Sequence, residues 1–164
     1  MKEANKTRGI LLSLVAIPAA IILWVIIWNM GYIASLVAFA LAYAVVWLYE
    51  KGAGAKPDKT VALPLILIIL VGSFLSFMGG MASDAWTYFH SSEYVSEMGE
   101  PTTSEAIDLT MQGLSNGEMW GAYSNDLIMT AVFTLIGAGG VAYMLFKGES
   151  VIKPKEDKTT PAAE

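Results

Sequence analysis

Four stretches of apolar residues, separated by polar or glycine-bearing breaks, organise the chain. Residues 10–28 contain no charged side chain, and neither do residues 32–49 beyond the short Asn29-Met30-Gly31 break. As one continuous helix these two stretches would reach about 60 Å at ~1.5 Å per residue, roughly twice the ~30 Å of a bilayer core. A helical hairpin turning at Asn29–Gly31, where an amide and a glycine permit the turn, resolves the excess length. Residues 61–78 form a third apolar stretch, with Pro64 in its first turn, where a missing N–H costs little. Residues 127–146 form the fourth. Stretches of this length and polarity predict membrane-crossing helices, since the bilayer core offers no water to satisfy an open backbone. Pro18, in the middle of the first, predicts a kink.

The polar remainder is sorted by charge. All ten basic residues lie in 1–9, in 50–60 or in 147–164, and residues 79–126 hold none. That segment carries Asp84, Glu93, Glu97, Glu100, Glu105, Asp108, Glu118 and Asp126 instead. Lysine and arginine favour the cytoplasmic side, so both termini and the 50–60 loop are expected there and 79–126 outside. The aromatics Trp28, Tyr32, Trp86 and Trp120 then fall near the outer interface, and Trp47, Tyr49 and Tyr143 near the inner one. Lys2, Lys6 and Arg8 ahead of the first apolar stretch resemble the start of a signal peptide. The stretch exceeds a signal core of ~7–15 residues and leads into a second span, so an uncleaved helix is expected.

Within 79–126, residues 81–98 lack proline and glycine and read as a continuation of the third helix. Gly99 and Pro101 end it. Thr102-Thr103-Ser104-Glu105 has the spacing of a capping box and opens a helix to about Leu114, with Ile107, Met111 and Leu114 as its apolar stripe. Ser115-Asn116-Gly117 breaks that helix, and Met119, Trp120 and Tyr123 lead into the fourth span. Short amphipathic helices, on the outer leaflet or capping the bundle, are expected here. The tail from Lys147 is charged and reads as disordered. The fold class is therefore all-α: a four-transmembrane-helix bundle with short extracytoplasmic helices between the third and fourth spans.

Composition agrees and narrows the chemistry. Charged residues make up 15% of the 164, well below the roughly one quarter common in soluble domains. A net charge of −5 argues against a nucleic-acid binder, and the absence of cysteine excludes disulfides and thiolate chemistry. The four apolar stretches contain no ionisable side chain, which weakens a proton-coupled transporter, since such groups mark ion paths. Small residues recur four apart: Ala34, Ala38 and Ala42; Gly72, Ser76 and Gly80; Thr130, Thr134, Ala138 and Ala142. Such rows let helices approach closely, either within the bundle or against another membrane protein or a second copy of this chain. Gly137 with Gly139-Gly140 points to one more close contact. His90, Glu93 and Glu97 fall at i, i+3 and i+7, so an unbroken helix would put a weak metal-binding candidate on one face; a solvated acidic face is the plainer reading. No nucleophile motif or cofactor fingerprint accompanies them, so no catalytic residue and no cofactor is assigned. Gly79-Gly80 and Gly52-Ala53-Gly54 read as hinges or turns.

Gly9, the Pro18 kink, Trp28-Asn29-Met30-Gly31-Tyr32-Ile33, Tyr49-Glu50-Lys51-Gly52 and Leu135-Ile136-Gly137-Ala138-Gly139-Gly140 form one pattern. It resembles a loose group of four-helix membrane proteins of Gram-positive bacteria with a tight first hairpin and a short outer helical insert. The resemblance implies the fold and a bacterial plasma membrane, and carries no function with it. Three readings stay open: an accessory or scaffold subunit for another membrane protein, a small oligomeric transporter or channel, and a metal-dependent enzyme on the outer face. The expected partners are the lipid bilayer and another membrane protein or the chain itself.

Overall fold

A proline one turn into the second helix sets the layout of the whole chain. The structure, a computed structural model, describes residues 5–148, and these contain helices and no strand. Asn5 caps α1 (Lys6–Ser13), its side-chain oxygen accepting the Arg8 N–H at 2.9 Å, so the helix starts ahead of the apolar stretch. Pro18 cannot donate to the Leu14 carbonyl. That carbonyl accepts instead from Ile17 at 3.1 Å, and the helix parts at Leu14–Val15 before resuming as α2 (Ala16–Asn29). The kink divides one span between two neighbours: α1 lies on α3 (Leu36–Ala53), whereas α2 lies mainly on α4 (Ala62–Phe89).

The hairpin forms where the glycine allows it. Gly31 adopts φ +75°, its N–H donates to Trp28 at 2.9 Å, and the Tyr32 N–H reaches back to Ile27 at 3.2 Å. This paired closure satisfies the last carbonyls of α2. It also holds Tyr32 and Ile33 in the turn, so α3 begins at Leu36, four residues later than the apolar pattern implies. At its other end α3 continues through Glu50 and Lys51 to Ala53 and stops where Gly54 turns left-handed at φ +67°. Gly52 and Ala53 are thus helical and only Gly54 is a turn. A 3-10 turn at Lys59–Val61 leads into α4. Then come α5 (Ser92–Met98), α6 (Thr103–Ser115), α7 (Gly117–Ala122) and α8 (Ser124–Lys147). Four helical segments are long and apolar enough to cross a membrane: Lys6–Asn29, Leu36–Ala53, Lys59–Phe89 and Ser124–Lys147. The tail expected to be disordered lies, beyond Gly148, outside the described residues.

Close approaches hold these helices together. At the α1–α3 crossing a Cβ on Gly52 would come within 2.7 Å of the Arg8 carbonyl oxygen and 2.9 Å of the Gly9 Cα. The buried Ser13 hydroxyl sits 2.9 Å from the Val45 carbonyl and 3.0 Å from Gly9's, sharing its proton between the two helices. Gly79 and Gly80, which read as a hinge, lie inside α4. Gly79 faces Ile21 and Val25, and Gly80 faces Trp24 and Trp28, so both serve as notches for α2. Gly137 of α8 meets Ala42 of α3 in the same way, at 2.8 Å.

The ends of the helices gather at two poles. At one, the Lys6 ammonium pairs with Asp58 and donates to Thr60 at 2.8 Å, the Asn5 N–H donates to the Ala53 carbonyl at 3.2 Å, and Lys59 lies over the Phe146 ring. The Lys6 contact, with a Thr60 hydrogen bond second, holds Asp58 down at about 2. At the other pole Asn29 donates to Ser83 at 2.8 Å. Lys6–Asp58 and Asn29–Ser83 therefore join the first and third apolar segments at both ends and fix them parallel. Between the poles, Trp24, Val45, Leu65, Ile69, Phe77, Met81 and Val141 are fully buried. The outward faces are equally apolar: Leu63 and Leu135 are each 67% exposed. A surface of that kind suits a non-aqueous surrounding.

Candidate functional site

The acidic pole is closed by α6, α7 and the end of α4. Thr102 and Glu105 form the capping box that starts α6: the Thr102 N–H and hydroxyl each donate to the Glu105 carboxylate at 2.8 Å, and the Glu105 N–H returns to the Thr102 hydroxyl at 3.4 Å. These bonds, the backbone one first, lower the Glu105 carboxyl below the ordinary range. The helix rests on α4 through Ala106 and Thr110, which are buried, while Ile107 and Met111 point outward. Of the expected stripe of Ile107, Met111 and Leu114, only Leu114 packs against the core. One residue is about 100° of helix, and the smaller side chains one step back allow a closer approach.

Aromatic rings fill the space below. Trp28 lies 6.2 Å from Phe77 and 5.7 Å from Tyr123, and Trp120 lies 6.1 Å from Phe77 and stacks on Phe74 at 6.3 Å. The Trp120 indole N–H donates to the Leu114 carbonyl at 2.9 Å, tying α7 to the end of α6. The Tyr123 hydroxyl donates to Asp84 at 2.8 Å, tying the start of α8 to α4. Burial first, then the Asp84 hydrogen bond and charge, push the Tyr123 phenol up to about 12. Because its folded value lies above the ordinary ~10, its contribution to stability is complete below pH ~10 and is lost as pH rises towards 12. Titration of tyrosinate absorbance is expected to show a late-ionising component, and Tyr123→Phe to reduce its amplitude by one residue. An unchanged late amplitude in Tyr123→Phe would show that Tyr123 is not raised.

The weak metal candidate does not assemble. The helix expected over 81–98 ends at Phe89, because Ser91 is extended and its hydroxyl accepts the Tyr94 N–H at 3.3 Å to begin α5. His90 sits at the break, stacked on Trp86 at 4.5 Å with its Nδ1 2.9 Å from the Trp86 carbonyl. Glu93 and Glu97 belong to the next helix, so the i, i+3, i+7 spacing does not share one face. Among the described residues no three His, Asp or Glu side chains are grouped to hold a metal.

The small-residue rows point inward. Ala34, Ala38, Ala42, Gly72, Ser76, Gly80, Thr130, Thr134 and Ala138 are buried within the chain, and Ala142 is half-buried. What remains open to the side are two grooves between helices. The first, about 240 Å³ between α4 and α8, is lined by Leu70, Ser73, Phe74, Thr130, Thr134 and Leu135 among others. The Thr130 and Thr134 hydroxyls donate back to the carbonyls of Asp126 and Thr130, at 2.6 and 2.7 Å. Ser73 differs: it is 2% exposed and its hydroxyl has no hydrogen-bond partner. Nothing in the sequence separates Ser73 from the packed Gly72 and Ser76 beside it; only the helix rotation in the assembled fold turns it to the groove. The second groove, about 330 Å³, opens between α2 and α3. Comparison with protein-family models, curated proteins and solved structures gives no match.

Proposed function

We propose that this chain is a four-span protein of a bacterial plasma membrane that acts as a non-catalytic accessory subunit, seating a transmembrane helix of another membrane protein in the α4–α8 groove. Both termini and the 50–60 segment lie in the cytoplasm and the 79–126 segment lies outside, an orientation supported by the basic and acidic poles. The observation that carries the reading is the unpartnered Ser73 hydroxyl at a groove whose other hydroxyls, those of Thr130 and Thr134, are bonded to their own helix. Ser73 is eleven residues beyond Ala62, the first residue of α4, some 16 Å along the helix at ~1.5 Å per residue, near mid-depth of the apolar segment. A lipid tail offers no acceptor at that depth, whereas a neighbouring helix offers polar side chains and backbone carbonyls. The filled core between the spans supports a scaffold over a conduit.

Affinity purification from native membranes with mass spectrometry tests this. The wild type is expected to retain a membrane partner in stoichiometric amount, and Ala131→Trp, which blocks the α4–α8 groove, to lose it. Ser73→Ala should weaken retention about fivefold, the loss of one hydrogen bond of ~1 kcal/mol. Ala19→Trp, on the α2–α3 groove, should leave the partner in place. Recovery of the wild type alone, as a compact monomer, would refute the proposal.

A further inference from the structure

The α2–α3 groove has a different chemistry from the Ser73 groove. It exists because Pro18 tilts α2 away from α3 after α1 has packed tightly against it. Its walls are Val15, Ala16, Ala19 and Ala20 on one side and Ala40, Ala44 and Trp47 on the other, with further apolar residues. Apart from the indole N–H of Trp47 at its end, the lining side chains are hydrocarbon, so the groove interior needs no hydrogen bond. Ala16, Ala19, Ala20, Ala40 and Ala44 line much of it with methyl groups, which suit contact with a hydrocarbon chain.

One end of the groove is charged. Trp47 forms that end, 45% exposed, and the Lys51 ammonium one turn further along α3 stands 5.6 Å above its ring. The Arg8 backbone carbonyl lies against the α1–α3 crossing at Gly52, the residue after Lys51, which puts Arg8 at the same pole of the molecule. Both cationic residues are exposed, and among the described residues neither is held by a carboxylate. Lys6, by contrast, is engaged by Asp58. Lys51 thus stands at one end of the groove, with Arg8 at the same pole, where the helices would meet lipid headgroups.

We propose that this groove binds an anionic phospholipid: one acyl chain lies between α2 and α3 along the alanines, and Arg8 and Lys51 hold the phosphate headgroup. The inference rests on the reading that the four apolar segments cross a bilayer, but not on a protein partner at Ser73. A cationic side chain near an anionic headgroup strengthens association severalfold, so the pair should favour an anionic over a zwitterionic lipid about tenfold.

The test uses the full chain in mild detergent, titrated with dioleoyl phosphatidylglycerol or dioleoyl phosphatidylcholine. Lipid retention is read by native mass spectrometry and stability by thermal unfolding. Phosphatidylglycerol is expected to bind about tenfold more tightly and to raise the melting temperature more. The Arg8→Ala, Lys51→Ala double variant should lose this preference while binding both lipids like phosphatidylcholine. Ala44→Leu, which fills the slot from within, should reduce binding of both. Ala131→Trp should change neither, which keeps failure of the partner reading separate from failure of this one. Inorganic phosphate without a chain should leave the melting temperature unchanged. Equal binding of the two lipids by the wild type, or a preference that persists in the double-alanine variant, would overturn the proposal. So would stabilisation by phosphate alone. The charge variants alter exposed side chains, and matching melting temperatures in lipid-free detergent would establish that they fold.

Discussion

Gly52→Leu is expected to separate α1 from α3 and to lower stability by about 3 kcal/mol, the upper end of the ~1–3 kcal/mol typical of overpacking. The reason is the identity of the neighbours. A side chain at Gly52 meets the Arg8 carbonyl and the Gly9 Cα, both backbone, so no rotamer change relieves the clash. Nor is there room to give way on the other side, because a Cβ at Gly9 would lie 2.7 Å from the Tyr49 ring, itself 1% exposed. Separation would also break the Ser13 link to Val45 and remove the platform from which α2 departs towards α4. Thermal unfolding in detergent should show a melting point lower by roughly 6–12 °C for a chain of this size. A variant melting with the wild type would mean that the two glycine surfaces are not in contact.

The glycine run of α8 should discriminate sharply between neighbours. Gly137→Leu is expected to cost about 2–3 kcal/mol, because its Cβ would overlap Ala42 at 2.8 Å and crowd the Phe39 backbone at 3.4 Å. Gly139→Leu, two residues on, has no atom within 4 Å of its Cβ position and should change stability by less than about 0.5 kcal/mol. Unfolding of both variants in the same detergent measures the contrast directly. Equal destabilisation would show that the run is sensitive to bulk in general and not to contact with α3. Ala42→Gly in the Gly137→Leu background should recover part of the loss, since it removes the atom that Gly137→Leu strikes.

The glycines also mark how far local reasoning reaches. Gly31 and Gly54 were legible as breaks because a left-handed turn is a local property, and both adopt positive φ. Gly79-Gly80 and Gly52 carry the same letter but sit inside helices, where the missing side chain is needed by another helix. Composition cannot separate these roles, since the second depends on what lies opposite. The same limit explains His90. Its spacing to Glu93 and Glu97 has meaning only on one unbroken helix, and a serine-capped restart at Ser91 ended that continuity. Thr102 and Glu105, by contrast, form a box whose partners are three residues apart, so pattern and structure coincide. The Ile107–Met111 stripe was visible as periodicity, yet which face α6 presents to α4 was settled by side-chain size at Ala106 and Thr110.

By itself the sequence determined the four apolar helices, the turn at Asn29–Gly31, the position of the kink and the separation of basic from acidic segments. Each follows from length, backbone freedom or charge, which act over a few residues or along the chain. Only the tertiary structure decided that the kink shares one apolar segment between α3 and α4, that the small-residue rows are consumed inside the chain, and that Ser73 and Trp47 border open grooves. Those outcomes depend on the relative rotation of packed helices, which is set by the fit of many side chains at once. A 3.6-residue repeat tells which residues share a face, but not which neighbour that face will meet.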